Sequence, residues 1–379
     1  MNAGPAEDER FRSELVAFLQ QNAPPEATTN SSRRVPGDLV PEWARRWQAT
    51  LFDHGWMIPS NPPHLGGRDA SAEQSVLFLE ELSRRDIPRS LHFPGYGIAA
   101  PSLLEFGTPG QRSLAPAAIR GDTVWCIGMS EPDVGSDLAS LHTRAEVYED
   151  RFVVTGQKVW TSFAPIADKC LCYVRTDPEE PRHRGISALI LDMEWPGISV
   201  RPLRNIMGSP EFAEVYFDDV VVPRDRLLGQ LHGGWGVTQG SLGHERLSMW
   251  MEAVARLDRA IGELLSQLRQ AGNDRDTLLR RRLITAYERT VCLRALGFRS
   301  MTGAGPGQLL MKLATSELYT EVLSLAIDLQ GPAGLIQDAP GDRDWWRDFL
   351  GSLAGTIAGG TSDIHRNVVA RHALGLPGD

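Results

Sequence analysis

Three stretches of this 379-residue chain hold residues able to bind or transform a small molecule. MSEPDVGSDLASL (129–141) follows the β-like run VWCIGM and carries Ser130, Ser136 and Asp137 around Gly135. A tight turn at that glycine would line a concave edge with hydroxyls and free main-chain amides, which suits a polar ring or a phosphate. GQKVWTSFAPIAD (156–168) brings Trp160, Thr161 and Ser162 to the end of another β-like run. A tryptophan face beside hydroxyls fits a planar aromatic cofactor; the plainer alternative makes Trp160 a core anchor and 129–141 a surface loop. TIAGGTSDIHRN (356–367) sets Gly359 and Gly360 ahead of Thr361, Ser362 and a helix that runs through Ile364, Val368 and Val369 to Leu374. Glycines before a helix start allow close approach of an anionic group, but they supply no acid or base. A fourth stretch, GHERL, places Glu245 before Arg246 on a helical segment, where such a pair is usually solvated surface.

The elements that must position these residues follow from hydrophobic period. Phe11, Leu15, Phe18 and Leu19 share a helical face, as do Trp43, Trp47 and Leu51, and VLFLEEL (76–82) continues the helical reading up to about residue 120. Short β-branched and aromatic runs then take over: VWCIGM, RFVVTGQKVWTS, CLCYV, SALILDM and AEVYFDDVVV, the last closed by Pro223. After Gly229 the helical period returns at about 240–270, 275–300 and 307–330, with AGND and GAGPG as breakers. The order predicts an α+β chain with a helical domain over 1–120, a β domain over 121–228 and a helical bundle over 229–379. Helices of this length usually need partners on more than one side, so self-association is expected.

Composition excludes several classes. The net charge is −9 and no long Lys/Arg run offsets the acids, so nucleic acid is not an expected partner. The start MNAGPAEDERFRSELVAFLQQ lacks the basic and apolar regions of a signal peptide, and no apolar run reaches bilayer-spanning length, which predicts a cytoplasmic protein without membrane insertion. Of four cysteines, Cys170 and Cys172 alternate along an apparent strand and read as packed side chains. No HExxH, CxxC or EF-hand spacing occurs, so no metal is expected.

SEPDVGSDLASL, GQKVWTS, EVYFDDVVVP, GHERL and GGTSDIHRNVVARHALGLP, in this order and spacing, resemble the acyl-CoA dehydrogenase family of flavoenzymes over essentially the whole chain. The resemblance implies an N-terminal helical domain, a middle β-barrel domain and a C-terminal four-helix bundle, with FAD as cofactor. It places the Met129 backbone and Ser130 beside the flavin ring, Trp160 packed on it, Ser162 near N5, and Thr361 and Asp363 where the terminal loop meets FAD. Ser136 falls on the CoA thioester's pantetheine or phosphate portion. The implied reaction is α,β-dehydrogenation of an acyl-CoA: a base takes the α-proton while the β-hydride moves to N5, with electron-transfer flavoprotein as acceptor.

In many members the base stands just before the terminal Gly-Thr, a position that is Gly359 here. A minority, isovaleryl-CoA and long-chain dehydrogenases among them, carries it on the first long bundle helix before an arginine. That position is Glu245, with Arg246 after it and Gly359 leaving room beside the reacting carbons. Three positions depart from the common pattern: AGNDRDTLLRRRL has no Phe-Gly, Asp328 stands where a glutamine is common, and Asp363 is shorter than the usual Glu or Gln. These departures resemble actinobacterial members acting on bulky groups such as sterol side chains, some of them α2β2 heterotetramers. A homo-oligomer (dimer or tetramer) or an α2β2 assembly is therefore expected. Readings left open are a half-site or non-catalytic partner subunit, a flavin monooxygenase, and a dehydrogenase of carrier-protein thioesters on the same fold.

Overall fold

The computed structural model describes residues 4–28, 39–180, 182–270, 277–301, 307–332 and 344–377; the side chains of residues 241–251, among a few others, lie outside the description. The breaker AGND, and GAGPG up to its last glycine, are not among the described residues. Helices α1 (Pro5–Asn22), α2 (Glu42–Asp53), α3 (Ala72–Arg84), α4 (Ala100–Phe106), α5 (Pro109–Arg112) and α6 (Ala115–Arg120) come first. Strands β1 (Trp125–Gly128), β2 (Arg144–Val147), β3 (Arg151–Lys158), β4 (Lys169–Arg175), β5 (Ile186–Asp192), β6 (Ile198–Leu203), β7 (Phe212–Pro223) and β8 (Leu227–Leu228) follow. Helices α7 (Gly234–Gln270), α8 (Thr277–Met301), α9 (Gly307–Gln330), α10 (Trp345–Gly355) and α11 (Ser362–His372) complete the chain. No helix among the described residues is long and apolar enough to cross a membrane.

Two compact units form, one from Met1–Arg33, Ser71–Pro88 and Arg246–Asp379, the other from Arg34–Ala70 and Arg89–Glu245. In the first, the apolar stripes of α7, α8 and α9 meet through Leu257, Ile261, Leu264, Leu283, Leu318 and Val322, with Trp345 of α10 closing the core. Leu15 of α1 is fully buried, and Glu81 of α3 is buried among arginines: Arg12 donates to it at 2.8 Å, Arg84 at 2.6 Å, and Arg85 also pairs with it. Burial pushes the Glu81 carboxyl up, but the three guanidinium groups outweigh it and hold the group below its ordinary 4.5.

In the second unit the strands make one sheet in the order β6-β7-β3-β2-β4-β5-β8, with β1 parallel to β4. β4 and β5 are buried along nearly their whole length and accordingly read as unbroken apolar runs, whereas β3 and β7 mostly alternate between buried and partly open positions. Cys126, Cys170 and Cys172 are buried free thiols in this core; Cys292 on α8 is exposed. Gly156 has φ +149°, and a Cβ there would come within 2.7 Å of the Thr143 Cα, so only glycine lets β3 pass that close on its way to Lys158. The β3–β7 register shifts at the same point, between Val154 and Gly156.

Candidate active site

The end of β1 and the end of β3 lie side by side, joined by the Val159 N–H donating to the Ser130 carbonyl at 2.9 Å. After Ser130 the chain turns at Glu131–Val134, whose two residues exchange main-chain hydrogen bonds of 2.8 and 3.0 Å. The tight turn therefore precedes Gly135 rather than using it, a correction to the sequence reading; Pro132 and Asp133 supply the corner. Ser136 follows on an exposed stretch.

Beyond β3 the backbone is held in an unusual course. Trp160 and Phe163 are both left-handed, with φ of +56° and +62°. Non-glycine residues adopt this region at a cost of roughly 1–3 kcal/mol and do so mainly where surrounding bonds dictate it. Here Thr161 and Ala213 exchange two hydrogen bonds of 3.1 Å, and the Phe163 N–H donates to the Glu211 carbonyl at 2.8 Å. The result lifts Trp160 out of the core: its side chain is 61% exposed, with the Phe212 ring edge-on at 6.0 Å. The core-anchor alternative for Trp160 thus falls. Ser130 and Ser162 are half-buried, and among the described residues neither hydroxyl has a hydrogen-bond partner, while the buried Thr161 Oγ1 is likewise unsatisfied. Behind the loop, the Phe163 ring meets His92 edge-on at 5.1 Å, and burial pushes that imidazole down to about 4, so it is neutral at physiological pH.

A charged pair lies beneath these two loops. Lys158 Nζ donates to Glu131 Oε1 at 2.8 Å and to the Met129 carbonyl at 3.1 Å, with the two side chains 0% and 5% exposed. Glu131 also accepts from the His142 N–H at 2.6 Å and the Thr143 N–H at 2.9 Å. Burial raises the Glu131 carboxyl, but the Lys158 charge and these donors together hold it below its ordinary 4.5.

The terminal loop belongs to the other unit. Gly359 and Gly360 are left-handed, at φ +65° and +98°. Their carbonyls are held: His365 Nε2 is 3.0 Å from the Gly359 oxygen and Lys312 Nζ donates to the Gly360 oxygen at 2.5 Å. Thr361 caps α11, its hydroxyl accepting from the Ile364 N–H at 3.3 Å. Asp363, exposed in the first turn, accepts from Arg366 at 3.0 Å. Asp328 is engaged by Arg282 at 2.7 Å. Glu245 and Arg246 fall on α7, and their side chains lie outside the described residues.

Residues 5–122, 126–220 and 232–374 match the family profiles described as Acyl-CoA dehydrogenase N-terminal, middle and C-terminal domain. The chain is 33% identical over 385 residues to acyl-CoA dehydrogenase IpdE1 of Mycolicibacterium smegmatis, an alignment covering 98% of each. The chain belongs to the acyl-CoA dehydrogenase family. Acyl-CoA dehydrogenases are flavin-dependent oxidoreductases, generally with FAD bound. Among solved structures, the acyl-CoA dehydrogenase titled "Tcur3481-Tcur3483 steroid ACAD" superposes with a TM-score of 0.85 at 28% identity, covering 100% of both chains. The ChsE4-ChsE5 complex from Mycobacterium tuberculosis follows with a TM-score of 0.82 at 27% identity, again covering 100% of both.

Within this acyl-CoA dehydrogenase the structure brings Met129, Ser130, Trp160 and Ser162 together on the two tied loops, and Gly359, Thr361 and Asp363 together on the terminal one. Sequence reasoning passed over Glu131, Lys158, Lys312 and His365. Glu131 and Lys158 sit inside the quoted motifs, and a charged residue at the end of an apolar strand was the available signal; their burial was not.

Proposed function

We propose that the chain oxidises an acyl-CoA thioester to its α,β-unsaturated product, with FAD as cofactor and Glu245 as the base, on a branched, cyclic or otherwise bulky acyl group. One observation carries the reading: Ser130 and Ser162, whose hydroxyls have no partner among the described residues, stand on two loops bonded to each other, beside an exposed tryptophan. Polar atoms left over in so fully bonded a frame fit a planar ligand with hydrogen-bonding edges. Met129, Ser130, Trp160 and Ser162 would hold the flavin ring, and Thr361 and Asp363 the part of FAD that meets the terminal loop. When bound, FAD supplies the acceptor for the β-hydride.

The protein's own tasks are to orient the substrate, exclude water and move the α-proton. Glu245 takes that proton to its carboxylate; removal of water around it raises its affinity for the proton. Arg246 and Ser136 contact the thioester or its carrier. Gly359 offers no side chain, which removes the alternative base and leaves space for substituents near the reacting carbons. A three-part organisation, helical over 1–120, β over 121–228 and a bundle over 229–379, accompanies this reading.

The steroid title of one neighbour supports a bulky acyl group, and the paired names of both support an α2β2 assembly as the second form of the reading beside a homo-oligomer. Electron-transfer flavoprotein is the proposed acceptor. Glu245→Gln tests the base: the variant should stay yellow yet fail to bleach with an acyl-CoA that bleaches the wild type, a loss of about 10²–10⁴-fold in rate. Undiminished bleaching would remove Glu245 from the mechanism. A panel of straight, branched, aromatic and steroidal acyl-CoAs tests the substrate class, and a preference for short straight chains would sink it.

A further inference from the structure

We infer that Lys158 is a positioning residue, which acts through Glu131 and the Met129 carbonyl to set Ser130 in register with Trp160 and Ser162. The inference rests on the flavin reading given above.

The argument begins with what a buried ion pair does. Taking two charges out of water costs more than their attraction commonly returns, and apolar replacements of similar volume are often as stable or more so. Stability alone is therefore a weak reason for a fully buried lysine at the end of a β strand. Geometry is a stronger one. Lys158 is the last residue of β3, two positions before Trp160 and four before Ser162. Its ammonium reaches across to Met129 O, one residue before Ser130, and to Glu131 Oε1, one residue after it. The Val159 N–H, adjacent in sequence, takes the carbonyl of Ser130 itself. Three successive residues, 129 to 131, are thus each bonded to Lys158 or its neighbour.

Glu131 extends the tie. Its oxygens accept the His142 and Thr143 N–H groups, and the Thr143 hydroxyl donates to the Gln157 carbonyl at 3.2 Å. The chain between 131 and 143 is closed into a loop whose two ends meet on one carboxylate, and the same carboxylate is bonded to the end of β3. Among the described residues Ser130 makes its main-chain bond to Val159 and no side-chain bond, so its position is fixed from both sides while its hydroxyl is left to a ligand. Trp160 and Phe163 sit in costly left-handed geometry directly downstream, held at the far side by the bonds to Ala213 and Glu211, and Lys158 supplies the fixed starting point of that stretch.

The test uses the full-length chain and free FAD, at a temperature where each variant keeps the wild-type far-UV circular dichroism. Lys158→Met should weaken FAD binding, read by quenching of flavin fluorescence, by about tenfold or more, the scale on which a small misplacement of contact groups is felt. In the apoprotein, amide exchange should quicken together in peptides covering 129–134 and 158–163 and not in those covering β5 and β6. Lys158→Arg keeps a cation against Glu131 and should recover part of both losses. Wild-type FAD affinity in folded Lys158→Met, or exchange that quickens across the whole sheet, overturns the inference. If Lys158→Met does not fold, Lys158→Arg and Lys158→Gln are judged by the same two measurements; failure of all three to fold marks the pair as a requirement of the fold alone and overturns it too. Wild-type protein that takes up no FAD would sink the flavin reading and this inference with it, whereas wild-type uptake with unchanged uptake by the variant sinks only the inference.

Discussion

The loops after β1 and β3 and the glycine loop before α11 are both held rigidly, by opposite means. In the sheet unit a buried charged pair fixes the main chain so that side chains can project from it: Ser130, Trp160 and Ser162 are presented, and the cost is borne by Lys158, Glu131 and two left-handed residues. In the bundle unit the loop is built on two residues without side chains, Gly359 and Gly360. Lys312 and His365 hold the carbonyls of Gly360 and Gly359, so that the backbone is anchored there. One region presents side chains above a buried ion pair, whereas the other is a glycine backbone held by side chains bonded to its carbonyls.

The largest effect should come from breaking the first arrangement at one end. Lys158→Met leaves Glu131 buried without its cation, a loss of about 3–5 kcal/mol that a denaturant titration would detect. A loss below about 1 kcal/mol would mean that the two main-chain donors to Glu131 suffice without the lysine.

Acid should reach the same pair without mutation. The folded-state carboxyls of Glu131 and Glu81 lie below the ordinary 4.5, so the stability they contribute is fully present above that pH and disappears as pH falls through the lowered values. Stability measured from pH 6 to pH 3 should fall below about 4.5, and more gently in Glu131→Gln than in the wild type.

Adding a side chain at Gly359 is expected to cost less. Gly359→Ala puts a Cβ on a left-handed residue, worth roughly 1–2 kcal/mol in stability, and should shift turnover away from the bulkiest acyl-CoAs in a substrate panel. Unchanged selectivity would separate Gly359 from the acyl group. Smallest of all, Thr361→Ala removes the cap of α11 at about 1 kcal/mol, and Thr361→Ser should restore it.

Hydrophobic period located the long elements before the structure did. The faces Phe11–Leu19 and Trp43–Leu51 and the three long bundle helices carry repeated apolar residues, and repetition is what makes a period visible. β2 and β8 are four and two residues long, too short for alternation to register, and β6 is half-open along its length. The resemblance named Ser130, Trp160 and Ser162 and set Trp160 against a ligand. Residue pattern alone left a core-anchor reading of Trp160 open, because exposure there depends on a backbone angle set by Ala213 and Glu211, more than forty residues later. Nor could it separate Lys158 and Glu131 from solvated charges, since a buried ion pair is defined by its surroundings and not by its letters.

The four cysteines give the protein a ready address for chemical labelling. Cys170 and Cys172 lie in the sheet core, where neighbouring thiols and burial push both well above the ordinary thiol range, and Cys126 is buried with them. Thiolate, not thiol, reacts with a maleimide, so a brief exposure of native protein should modify Cys292 on α8 and spare the other three. A spin label or dye placed there without any mutagenesis would show whether copies of this chain come together in solution.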